Sequence, residues 1–170
     1  MNEFSALLEN ATRKIPHQYF ELPIVGGDYV YRERVYCYEL YHQLRTIWPN
    51  SAFSLNGELD KAAHPLFRSL QIRQKPDFLV YVPGSMENNE IVMEVKTAGA
   101  GDDGIRKDFE TIQKFILDVG YKRGVFLMFG SQVETQVPKI RRVFASLENL
   151  SNIEVWLHSS PGHPAFRLIW

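Results

Sequence analysis

The chain has 170 residues, 45% hydrophobic, 13% aromatic and 23% charged, a composition that excludes a disordered, collagen-like or low-complexity chain and fits one globular domain with a real core. Nineteen Lys and Arg stand against twenty Asp and Glu, for a net charge of −1, which argues against a uniformly basic nucleic-acid surface. No apolar run approaches the roughly 18 residues of a membrane span, no basic-then-apolar leader opens the chain, and Cys37 is the only cysteine, so a cytoplasmic protein without membrane contact, disulfide or multi-cysteine zinc site is expected.

In chain order, Glu3 to Lys14 carries Phe4, Leu7, Leu8 and Ala11 at helical spacing and stops before Pro16, giving a short helical cap. Residues 1–27 are read as an N-terminal helical extension of a single domain spanning 1–170. Asp28, after Pro23 and Gly26-Gly27, is the expected N-cap of a long helix to about Trp48, with Cys37, Leu40, Leu44 and Ile47 as its buried stripe. Ala52 to Leu59 reads as a strand. A polar excursion follows from Asp60 to Gln74, and from Lys61 to Lys75 there are four cations (Lys61, Arg68, Arg73, Lys75) and no acid.

Phe78 to Val82 and Glu90 to Lys96 read as paired strands of a hairpin. A helix is expected from about Gly104 to Val119, ended by Gly120. Gly124 to Phe129 is a strand, Val133 to Leu150 a helix interrupted near its start by Pro138, and Ile153 to Leu157 another strand. The order is that of an α/β fold. His158 and His163, around Ser159-Ser160-Pro161-Gly162, could bind a metal in principle but read as surface residues, and Tyr36, Tyr38 and Tyr41 could stack on bases, with packing against the sheet the preferred role.

Chemistry concentrates in two short segments, Lys75-Pro76-Asp77-Phe78 opening one strand and Val92-Met93-Glu94-Val95-Lys96 closing its neighbour. A hairpin sets the start of the first strand beside the end of the second, so Asp77 meets Glu94. Alternation along the strand puts Glu94 and Lys96 on one face and Val95 on the other. Two carboxylates with water and phosphate oxygens form the oxygen-rich surroundings that Mg²⁺ prefers, and a nearby lysine can hold an attacking water or stabilise charge developing on a phosphate. A surface salt bridge among the three is the plainer alternative.

With these residues on view, the chain from roughly Asp28 to Phe129 resembles the PD-(D/E)xK nuclease superfamily, and among it the small stand-alone members of unassigned substrate. Also in keeping are Glu33-Arg34 near a helix start, Glu58-x-Asp60 before the excursion and Gly120-Tyr121-Lys122-Arg123-Gly124 before a strand. The resemblance implies a restriction-endonuclease-like αβββαβ core with a mixed central sheet flanked by helices. It implies Asp77, Glu94 and Lys96 as the metal-binding and catalytic set, often completed by a glutamate of the first helix.

Glu33 and Glu39 lie about 120° apart around a helix at about 100° per residue, so they do not serve one site together. Glu33 shares the stripe of Cys37, Leu40 and Leu44 and is preferred; it either completes the site or simply favours the helix dipole in the first turn. Glu58 is either a further metal ligand or a strand-end surface acid. Lys61, Arg73 and Lys75 are either phosphate contacts or a solvated face. The expected function is Mg²⁺-dependent hydrolysis of nucleic-acid phosphodiester bonds, foremost in DNA, with Mn²⁺ able to substitute. The alternative is a non-catalytic module of the same fold that binds nucleic acid or a protein partner. A homodimer would let an enzyme of this size engage both strands of a duplex.

Overall fold

A computed structural model describes residues 3–58 and 72–169 of the chain; Asp60, Lys61 and Arg68 of the excursion lie outside the described residues. The chain begins with α1 (Phe4–Arg13), a single turn α2 (His17–Phe20) and α3 (Glu33–Thr46). Next come β1 (Ser54–Gly57), β2 (Phe78–Tyr81), β3 (Asn89–Thr97), α4 (Asp102–Val119) and β4 (Arg123–Phe129). A 3₁₀ turn (Val133–Gln136) leads into α5 (Val137–Ala145), followed by β5 (Ile153–His158) and β6 (Phe166–Arg167).

Among the described residues the strands form one six-stranded mixed sheet in chain order, β1-β2-β3-β4-β5-β6. The first three pair antiparallel; β3/β4 and β4/β5 are parallel, joined through α4 and α5 as helical crossovers, and β6 returns antiparallel. Strand alternation divides the core into two layers. Phe78, Val80, Met93, Val95, Val125 and Leu127 pack under α1, α2 and α3. Leu79, Val92, Phe126, Met128 and Val155 pack under α4 and α5. None of the described helices is long and apolar enough to cross a membrane.

Several boundaries differ from expectation. Asp28 caps nothing: Leu22 and Val30 exchange backbone hydrogen bonds of 2.8 and 3.0 Å, holding the chain extended up to Arg32, so α3 starts at Glu33. Tyr29-Val30-Tyr31 is a β-branched and aromatic tract, and the bridge wins over the cap signal. Pro138 does not interrupt a helix but lies in the first turn of α5, where its missing N–H costs nothing; α5 then ends at Ala145, five residues short of the expected Leu150. α1 is more than a cap, since Phe4, Leu8 and Ala11 are fully buried in the core. α4 begins with Asp102 and Asp103 in its first turn, favourable to the helix dipole, and ends on Gly120 at φ 82.

Candidate active site

The register of the β2/β3 hairpin explains how two acids meet. Phe78 pairs with Met93 and Leu79 with Val92; one residue further along, Asp77 falls opposite Glu94. Parity then places both side chains on the α4 side of the sheet, with Leu79 and Val92. The Asp77 carboxylate accepts a 2.7 Å hydrogen bond from the Val95 backbone N–H and shares a hydrogen bond with the Glu94 carboxyl. Glu94 is buried at the centre of the sheet's end.

Lys96 follows on the same face, and helices from both layers reach it. Its Nζ lies 3.1 Å from Glu33 Oε2 at the first turn of α3 and 3.0 Å from Asp108 Oδ2 on α4. The contact to Asp108 is a close ion pair without the alignment of a hydrogen bond. Together these groups line a cleft of about 490 Å³ whose walls also include Arg73, Lys75, Lys107 and Thr111.

Four carboxyls therefore gather around Lys96 in this cleft, with Arg73, Lys75 and Lys107 on its walls, and the electrostatics follow. Burial, then the neighbouring acids Glu33 and Asp108, push Asp77 up to about 6 against the pull of the Val95 N–H and the Glu94 hydrogen bond. Glu94 is raised well above the usual carboxylate range by its own burial, by Asp77 and by Asp108. Asp108 is pushed up to about 6, burial outweighing the pull of Lys96. Burial disfavours the charge on Lys96, but Asp108 and Glu33 more than offset it, and the lysine is held protonated. Lys96 balances Glu33 and Asp108. Asp77 and Glu94 are left facing one another as two acids that cannot both ionise cheaply. Among the described residues no group of three or more His, Cys, Asp or Glu is arranged to hold a metal ion; the oxygen donors that converge are this pair.

The other residues singled out in the sequence fall as follows. Glu58 does not enter the acid cleft: it faces Arg34 at 3.5 Å and lines a separate hollow on the α3 side, while its backbone N–H donates to the Asp77 carbonyl at 3.0 Å. Glu39 accepts a 2.7 Å hydrogen bond from Gln43 on its own helix and stays away from the cleft. Lys61 lies outside the described residues. The Cys37 thiol is buried and pushed well up by burial and by the acids around it, Asp77 first, so it is a poor nucleophile.

His158 is a correction. It is fully buried rather than on the surface, with Tyr36 Oη 2.8 Å from Nδ1, and burial pulls its pKa down to about 4. The signal was present in the strand periodicity, because His158 continues β5 by one residue beyond Leu157. Asp108 was the site residue sequence reasoning missed. It sits between Ile105, Phe109 and Ile112 on the inward stripe of α4, and a lone acid on an apolar stripe was the available clue. No protein-family model matches this chain, and no curated protein matches it either.

Proposed function

We propose that the chain is a Mg²⁺-dependent nuclease of the PD-(D/E)xK kind, hydrolysing phosphodiester bonds of DNA. The observation that carries this reading is the meeting of Asp77 with Glu94 beside a lysine that other acids already neutralise. That donor set fits Mg²⁺, which takes one or two carboxylates and completes its shell with water and phosphate oxygens; Asp77 and Glu94 would hold it. Bound there, the ion would polarise a phosphoryl oxygen and lower the pKa of a water.

The chain's own groups supply the rest. Lys96, protonated and gripped from two sides, is a fixed donor rather than a base, suited to orient the attacking water and to stabilise charge developing on the phosphate. Glu33 and Asp108 are positioning residues that act through Lys96. Arg73 and Lys75, on the same cleft wall, would meet neighbouring phosphates of the strand. The order α3-β1-β2-β3-α4-β4 supports the αβββαβ reading of the core.

The test is cleavage of linear, circular, single-stranded and branched DNA and RNA with Mg²⁺, Mn²⁺ or EDTA. Metal-dependent cutting is expected from the wild type and none from Glu94→Ala, with both proteins equally folded by circular dichroism. Unchanged cutting by Glu94→Ala overturns the assignment. The near-neutral charge of the chain favours the second reading, a binding module of the same fold, and a folded wild type that neither cuts nor takes up Mn²⁺ would establish it.

A further inference from the structure

Asp77 belongs to two hollows. On the α4 side it lines the acid cleft; on the α3 side it lines a second hollow of about 310 Å³ between the first turns of α3 and the ends of β1 and β2. The two have no other lining residue in common. The second hollow is aromatic where the first is charged. Tyr38 and Tyr41 come from α3 and Phe78 from β2, and the rings of Tyr41 and Phe78 lie within 11° of parallel with centroids 6.4 Å apart. Tyr38 is 65% exposed, a large ring standing open beside this hollow while Tyr36, two residues earlier, is stacked on Phe129 in the core.

Arg34 and Glu58 also line the hollow, exposed and 3.5 Å apart. A pair at that distance in solvent is weakly held, so both groups remain able to turn toward a polar edge. The hollow thus combines aromatic faces, a donor and an acceptor, and it shares Asp77 with the cleft in which a phosphate would bind. Those are the features that recognise a nucleobase: a π-face for stacking and hydrogen-bonding groups for its edge.

We propose that this hollow receives an unpaired base of the strand whose phosphate occupies the acid cleft, so that the substrate is single-stranded or locally unpaired DNA. The inference rests on the nuclease reading of the acid cleft. A base within a duplex has both faces stacked and its edge paired, and reaches such a hollow only by leaving the helix. Tyr38 is then the residue that separates unpaired from paired substrate, because it offers its ring to a base that has left the stack.

The experiment compares wild type, Tyr38→Ala and Tyr38→Phe in EDTA, by fluorescence anisotropy, on a 12-nucleotide DNA strand, on its duplex and on single strands with one abasic position moved along them. Tyr38→Ala is expected to weaken single-strand binding about tenfold and leave duplex binding unchanged, with Tyr38→Phe within about twofold of wild type. One abasic position should weaken wild-type binding by a similar factor and add nothing to Tyr38→Ala. An equal loss on strand and duplex, or no loss on either, overturns the proposal, as does indifference to every abasic position. Cleavage of the same oligonucleotides in Mg²⁺ separates the two readings. Metal-dependent cutting that prefers duplex and ignores Tyr38 removes the base site and keeps the nuclease; Tyr38-dependent strand binding with no cutting keeps the base site and removes the nuclease.

Discussion

Lys96 is the residue on which the acid cleft turns, because among the described residues it is the cation that helices of both layers grip. Its ammonium closes an ion-pair bridge from Glu33 on α3 through β3 to Asp108 on α4. Truncation to alanine removes the fixed donor and leaves Asp77 and Glu94 in place. Lys96→Ala should therefore keep Mn²⁺ uptake by calorimetry and lose turnover by about 10²-fold or more; equal loss of both would show that the lysine helps to build the metal site instead. The acid pair was legible in the sequence because a hairpin imposes its register on whatever residues it carries, and Asp77 and Glu94 follow from counting. The partners of Lys96 were only half legible. Glu33 was visible as an acid on a buried stripe, whereas Asp108 required knowing that α4 crosses the same face, a tertiary fact that no local pattern contains.

At the scale of elements, β4 is held between helix and sheet at one tight point. A methyl group added at Gly124 would lie 2.3 Å from Ile112 Cγ2 and 3.1 Å from Ile116 Cδ1 on α4, and 3.2 Å from Ile153 Cγ1 on β5. Ile112 is β-branched and fully buried, so it cannot swing away at little cost. Gly124→Ala should destabilise the protein by about 1–3 kcal/mol, read as a lower chemical-denaturation midpoint with an unchanged slope; a neutral result would mean that α4 can slide over the sheet. Here the sequence was informative about type and poor about edges. Long periodic stretches such as α4 and β4 were read almost to their ends. The starts of α3 and α5 depended on a β-bridge and on where a proline falls within a turn, and neither has a strong local signature.

For the molecule as a whole, the buried acids make stability depend on pH in a direction that can be derived. A carboxyl whose folded pKa is raised holds its proton in the native state after the unfolded chain has released it, so stability falls as pH climbs from the ordinary carboxylate range through the raised value. Asp77 and Asp108, at about 6, and Glu94, raised well above the ordinary carboxylate range by burial and its neighbours, all act in this sense. His158 opposes them: buried neutral with a pKa near 4, it adds stability as pH rises toward its ordinary 6.5 and nothing beyond. The aspartates and His158 therefore act in opposite directions over much the same interval, from about pH 4 to about pH 6. Lys96 loses its contribution only in strongly alkaline solution. Mg²⁺ competes with the proton held at Asp77, so adding it should raise the melting temperature more at pH 7 than at pH 5, each compared with EDTA at the same pH. An equal rise at both values would show that the metal does not displace a proton from the acid pair.

The sheet order that equals chain order bears on how the protein is made. Each new strand leaving the ribosome finds its neighbour already waiting, since synthesis runs from the first strand to the last. Asp77 and Glu94 can be brought together once residue 97 has emerged, long before the chain is complete. The opposite holds for α1: its buried Thr12 Oγ accepts a 2.8 Å hydrogen bond from the Ala165 backbone N–H, 153 positions further along the chain, so α1 waits for that residue before it can lock. A nascent chain halted before Ala165 would carry its acid pair assembled and α1 still unfastened.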